Sequence, residues 1–176
     1  MDHKILNIVE ENFIVQELVR EVRSGTAVIG TIEDHIYRTG EAGGGSIGEH
    51  FRHNLDFVNS FLNGVAERRI DYSRRTRDIR VESNRAYAIG CFEFAVRRFR
   101  SISDELLESM VLVRSEIDAS QWHASSIARE VEFVLSHTVH HHALIAEKLK
   151  CNGLPVPEGF GVSSSTLQYW SQRLAA

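Results

Sequence analysis

One long helical run with four histidines in its middle constrains this chain more than any other stretch. Ala128 to Lys150, AREVEFVLSHTVHHHALIAEKLK, contains neither proline nor glycine and carries His137, His140, His141 and His142 inside a periodic apolar pattern. A helix advances about 100° per residue, so side chains four apart share a face. His137 and His141 therefore lie one turn apart, on the arc of Phe133, Val134, Leu144 and Ile145, while Glu132, Ser136, Glu147 and Lys150 gather on the other side. An imidazole turned into an apolar face must find a partner or cost about 1–3 kcal/mol. Two of them one turn apart can hold a divalent metal and supply two of its three or four ligands. They can equally be core histidines bonded to buried polar groups. With 9 His in 176 residues, about half a pair at this spacing arises by chance, so context has to decide.

The context is a helical chain. Length fits one domain over residues 1–176, and 43% hydrophobic with 25% charged residues is a globular composition. Long periodic stretches and only two prolines predict an all-α fold. Cys91 and Cys151 are too few for a disulfide framework, which points to a reducing cytoplasm. No signal-peptide core or run of 18 apolar residues is present, so no membrane association is expected. The net charge of −4 argues against a general nucleic-acid binder. Between Arg68 and Arg100, however, ten arginines face only Asp71, Asp78, Glu82 and Glu93. That block could take up phosphates or a small anion, but a solvated, ion-paired helix face is the simpler expectation.

Four principal helices emerge along the chain. Residues 3–23 read as the first, with Ile5, Ile8, Val9, Phe13, Leu18 and Val22 on one side, then a break at Ser24-Gly25 and a helical segment over Ala27–Arg38. Thr39–Gly45, with four glycines, reads as a loop. Ser46 and Glu49 form a capping-box pattern opening SIGEHFRHNLDFVNSFLNG, a helix expected to end at Gly64. Its stripe is Ile47, Phe51, Leu55, Val58 and Leu62, with Arg52, Asp56, Asn59 and Asn63 expected in water. His50 and His53 flank that stripe, helical phase slightly favouring His50 as the inward ring, and either could be a third ligand. A third helix is expected over Arg74–Arg100, followed by a short β-prone run, Met110–Val113, read as an edge strand or extended loop. The histidine helix closes near Asn152-Gly153, and a short last helix begins about Ser164.

SIGEHFRHNLDF, YSRRTRD, SHTVHHHALI and FGVSSSTL together resemble the DinB/YfiT-like superfamily, four-helix bundles of metal-dependent type named for a damage-inducible family and distinct from the DNA polymerase sharing that name. The resemblance covers most of the chain. It implies a divalent metal held by one histidine of the second helix and an HxxxH pair of a late one. The pair lands on His137 and His141. The second-helix ligand is followed three residues later by Asp in that family, which His53 with Asp56 satisfies and His50 with His53 does not. The implied ligands are thus His53, His137 and His141, with zinc the first expectation and nickel or iron acceptable to an imidazole shell. Three histidines leave an open position, as catalytic metal sites do. The implied chemistry is a thiol-dependent transferase or a hydrolase, acting on a small molecule or with a low-molecular-weight thiol. The implied assembly is a homodimer, and the alternative is a stress-associated, non-catalytic protein whose metal pins two helices.

Specific activities within the superfamily do not carry over. Ergothioneine-type synthases resembling this fold have an acid two residues after the last histidine, where this chain has Ala143. The mycothiol-dependent isomerase has Glu where this chain has His137, and Thr138 stands where a zinc protease of the HExxH kind needs its general base. Among the remaining candidates, His140 is expected to be exposed, His142 to pack in the core, and His123 to line a pocket mouth. Arg75 and Arg77 are expected in ion pairs, with an anionic substrate as the second reading. Cys91 and Cys151 are expected to serve packing.

Overall fold

The computed structural model describes residues 12–41 and 44–174. Its helices are α1 (Phe13–Thr31), α2 (Asp34–Arg38), α3 (Ile47–Glu67), α4 (Ile79–Ser83), α5 (Arg85–Arg100), α6 (Asp104–Leu107), α7 (Ile127–Cys151) and α8 (Ser164–Leu174). Among the described residues, five short strands, β1 (Gly40–Glu41), β2 (Gly45–Ser46), β3 (Arg69–Ile70), β4 (Met110–Arg114) and β5 (Trp122–Ser126), lie in the connections. Four long helices make the bundle. α1 touches α5 and α7, and α3 touches the same two, so α1 and α3 sit on opposite corners of a square. Each corner buries its own stripe: Leu18, Val22 and Ile29 from α1, Phe51, Val58 and Phe61 from α3, Phe92, Val96 and Phe99 from α5, and Val131, Val134 and Ile145 from α7.

α1 runs straight through Ser24-Gly25, where the sequence predicted a break. A Cβ on Gly25 would lie 2.6 Å from His142 Nε2 and 3.0 Å from Phe51 Cε1, so this glycine lets α7 approach closely rather than ending the helix. The real break comes later, at Ile32 and Glu33, both extended. Arg85 crosses from α5 to cover the exposed end of α1, donating to the carbonyls of Ile29 and Ile32 and to Asp34. The portion of the expected first helix carrying Ile5, Ile8 and Val9 lies outside the described residues, and Phe13, expected inward, is exposed.

α3 opens on the predicted box, with the Ser46 hydroxyl accepting from Glu49 N–H at 3.0 Å and the Glu49 carboxylate accepting from Ser46 N–H at 2.5 Å. It continues past Gly64 to Glu67 and is capped by Arg68 in a left-handed conformation. Gly64 is needed for contact, since a Cβ there would meet Arg69 O at 2.5 Å. Thr39–Gly45, read as a loop, ends in an antiparallel pairing of Gly40–Glu41 with Gly45–Ser46.

The predicted helix Arg74–Arg100 divides. Residues 71–78 form a loop, α4 makes barely more than a turn, and Asn84 in extended conformation restarts the chain by capping Tyr87 N–H. An asparagine side chain can replace the missing intrahelical acceptor, so the sequence has a cap where periodicity suggested continuity. Met110–Val113 belongs to a central strand, not an edge: β4 pairs parallel with β3 and antiparallel with β5. Among the described residues no helix is long and apolar enough to cross a membrane.

Candidate metal centre

α7 begins on Ser126, whose hydroxyl accepts from Arg129 N–H, and runs unbroken to Cys151. Its buried face holds Val131, Val134, Thr138, His142, Ile145 and Leu149, rotated from the arc expected, so Leu144 is exposed. His142 is therefore the deepest histidine, at 1% exposure, stacked on Phe160 with centroids 4.5 Å apart and bonded through Nδ1 to Glu21 at 2.5 Å. His137 and His141 occupy the edge of this face that meets α3. His140 points to solvent, and His123 is exposed on β5.

From α3, His53 completes a cluster. Its ring centroid lies 5.3 Å from that of His137 and 4.7 Å from that of His141, which are themselves 4.6 Å apart. One ring nitrogen from each lies within 4.8 Å of the other two. In a tetrahedral zinc shell with Zn–N of about 2.0–2.1 Å, neighbouring nitrogens sit about 3.3–3.4 Å apart. Small side-chain rotations would close the remaining gap. His50 stands one step outward, its Nδ1 3.2 Å from His141 Nδ1, and is not one of the three converging groups.

The surroundings keep these rings neutral. Burial pushes His137 down to about 4, with the nearby charges of His53, His140 and Arg75 acting in the same direction. Burial likewise takes His141 down to about 2, helped by His137, His53 and His50. His53 is lowered by burial and by the Arg75 charge, against an opposing pull from Asp56, and His50 by burial and Lys148. Neutral imidazole is the form that ligates. Phe57 stacks on His137 at 3.8 Å and Phe133 lies 6.2 Å away, walling the site on its apolar side. His137 Nε2 is buried with no hydrogen-bond partner among the described residues. A buried ring nitrogen without a partner, beside two more neutral imidazoles, is a donor set that fits a divalent metal.

The residues beyond the cluster were less visible in sequence. Asp56, expected in water, is 6% exposed, and it accepts from Arg77 N–H at 3.1 Å and from Arg52 at 3.3 Å. It thereby fastens loop 71–78 to α3, with Arg77 at φ 53° in the left-handed region. Arg75 reaches from that loop to His53, its Nη1 3.3 Å from Nδ1, rather than into an ion pair. Tyr72 and Ser125 donate to buried Glu130 at 2.8 and 2.7 Å, tying the same loop and β5 to α7. The x-x-Asp spacing after His53 was the available signal for Asp56; nothing local marked Glu130. Of the two cysteines, Cys91 is half-buried against the core, while Cys151 is exposed at the end of α7 and does not serve packing.

No protein-family profile matches the chain. A curated relative, FK506-binding protein 5 of Rhizopus delemar, is 32% identical over 104 residues, 57% of this chain. The chain spans only 27% of that relative's length. Two solved structures from Bacillus subtilis share the fold. A DinB-like protein, YjoA, superposes with a TM-score of 0.61 at 18% identity, over 82% of this chain and 96% of that one. YfiT, described as a probable metal-dependent hydrolase with an unusual four-helix bundle topology, superposes with a TM-score of 0.62 at 12% identity, over 88% and 94%.

Proposed function

We propose that this chain, a four-helix bundle of the DinB/YfiT-like fold, is a metal-dependent enzyme whose divalent ion is held by His53, His137 and His141. The observation that carries the proposal is the convergence of three neutral imidazoles from two helices on one point, one of them with a buried, unpartnered nitrogen. The description of YfiT as a probable metal-dependent hydrolase supports the same reading. Zinc suits an all-imidazole shell, with nickel or ferrous iron as the other candidates. When bound, such a metal lowers the pKa of a coordinated water or thiol towards neutrality and acts as a Lewis acid.

The chain's own residues have distinct parts in this account. Phe57 and Phe133 keep water from the inner side of the His137 ring. His50, through its contact with His141 Nδ1, sets which nitrogen of that ring turns to the metal, the usual work of a group behind a ligand. The reaction is transfer or hydrolysis on a small molecule, with a low-molecular-weight thiol as cosubstrate in the transferase case. The same reading has the protein acting in the cytoplasm as a homodimer.

A non-catalytic role, in which the metal only pins α3 to α7, has one favouring observation: His50 stands close enough to His141 to be drawn in as a fourth ligand. Cobalt-substituted protein separates the two readings. A visible spectrum that shifts when a small thiol or azide is added marks an open position. A spectrum unmoved by either marks a closed shell and overturns the catalytic reading. Metal-dependent turnover of activated esters or thiol-conjugation electrophiles, lost in His137→Ala with helicity intact, is the expected companion result.

A further inference from the structure

The motif YSRRTRD lies in loop 71–78, and that loop is fastened at both ends. Asp71 accepts from Ser73 N–H at 3.0 Å and from Arg114 at 2.8 Å, and Asp56 accepts from Arg77 N–H at 3.1 Å. Between these points Arg75 is laid against the histidine cluster. Its guanidinium lies 5.4 Å from the Phe57 ring centroid, its Nη1 donates to His53 Nδ1, and its Nε is buried with no partner among the described residues. A buried guanidinium N–H with no acceptor is costly unless a ligand completes it.

On its other side Arg75 lines a cleft of about 610 Å³ between α3, the loop and the β3–β5 sheet. None of the clustered histidines lines this cleft; Arg75 lines it and touches His53, and the Asp56 carboxylate, which also acts on His53, lies there bonded to Arg52 and Arg77 N–H. Other arginines there are already engaged: Arg69 covers the Trp122 ring at 4.1 Å, and Arg114 is paired with Asp71. Arg74 lines the same cleft and has no ion pair among the described residues.

Metal at His53 changes what Arg75 can do, whichever ring nitrogen ligates. If Nδ1 ligates, its lone pair is no longer available to Arg75. If Nε2 ligates, Nδ1 carries the proton and presents a donor to a donor. Either way Arg75 loses its acceptor, and its Nη1 is released for a group in the cleft that Arg75 lines. A carboxylate or phosphate, with two oxygens in a plane, is the group a guanidinium fork matches. We infer that Arg75, assisted by Arg74, is the anion-binding residue of a substrate subsite beside the histidine cluster, taking the oxyanion of a small carboxylate- or phosphate-bearing molecule when metal occupies His53.

This inference rests on the metal reading above. Metal and anion then bind cooperatively, and each raises the affinity of the other by the same factor. The experiment is calorimetric titration of acetate, and separately of inorganic phosphate, into zinc-free and zinc-loaded protein, for the wild type and Arg75→Gln, with zinc affinity measured in each. In the wild type, zinc is expected to raise the affinity for one of the two anions by about tenfold or more. The anion that responds identifies the carboxylate or the phosphate source. Arg75→Gln is expected to bind zinc at least as tightly, since a competitor for His53 is gone, and to bind the anion about tenfold more weakly. Arg75→Gln protein that binds zinc and both anions like the wild type overturns the subsite alone. Wild-type protein whose zinc affinity is unmoved by either anion also overturns it, independently of any variant. Protein that takes up no zinc overturns the metal reading and this inference with it.

Discussion

Gly25 of α1 leaves the space that the His142 ring of α7 fills, and replacing it by alanine gives a prediction with a definite sign. A methyl group there would lie 2.6 Å from His142 Nε2, 2.9 Å from His142 Cε1 and 3.0 Å from Phe51 Cε1. His142 cannot simply turn away, because it is stacked on Phe160, set edge-on to Phe51 and bonded to Glu21. Overpacking of this kind costs about 1–3 kcal/mol. Alanine in a helix interior recovers about 0.8–1.0 kcal/mol relative to glycine. The net expectation for Gly25→Ala is a loss of about 1 kcal/mol, which at this chain length lowers Tm by about 2–4 °C. Gly90 in α5 supplies the control, since a Cβ there meets nothing within 4 Å. Gly90→Ala should therefore raise Tm by a similar amount. Thermal unfolding followed by circular dichroism reads both signs. Because the closest contacts are to His142, most of the penalty of Gly25→Ala should disappear in a His142→Ala background, a coupling of about 1–2 kcal/mol. If Gly25→Ala stabilises as Gly90→Ala does, the reasoning is refuted.

Three further outcomes are expected. His137 and His141 titrate below the unfolded-state value of about 6.5, so the folded state resists their protonation and the unfolded chain binds more protons. Metal-free protein should accordingly be fully stable above about pH 6.5 and lose stability as pH falls through about 4; urea titrations between pH 6.5 and 5, where most carboxylates remain ionised, should show this slope, and His137→Gln should reduce it. Tyr72→Phe removes one donor from the buried Glu130 carboxylate and should cost about 1–3 kcal/mol in urea unfolding, whereas a change of no more than about 0.3 kcal/mol would mean the network contributes nothing. Asp56→Ala frees the Arg77 N–H and should loosen loop 71–78, seen as faster amide exchange there with α3 and α7 unchanged; unchanged exchange in the loop would dismiss the fastening role.

Legibility in the sequence followed the range of the interactions. Long stripes such as Ile47 to Leu62, the Ser46–Glu49 box and the extent of the histidine helix depend on residues three or four apart, and the periodic pattern exposes them directly. Gly25 misled because a glycine admits two explanations, a helix break or a close neighbour, and only the position of His142 more than a hundred residues later distinguishes them. Asn84 misled in the opposite sense, since a cap inside a periodic apolar pattern leaves the pattern almost intact. Helical phase leaned towards His50, while the spacing of His53 to Asp56 leaned the other way. The structure brings His53 to the pair on α7 and leaves His50 against His141. Arg75 owes its position, and Glu130 on α7 its partners, to a loop and a sheet that short-range patterns do not encode.

The claim that His53, His137 and His141 hold a metal is tested most directly by elemental analysis of purified protein reconstituted with zinc and freed of excess. The account predicts about one equivalent in the wild type and in His140→Ala, and loss of that equivalent in His53→Ala, His137→Ala and His141→Ala, each folded by circular dichroism. Stoichiometric zinc surviving in both His53→Ala and His137→Ala would contradict it.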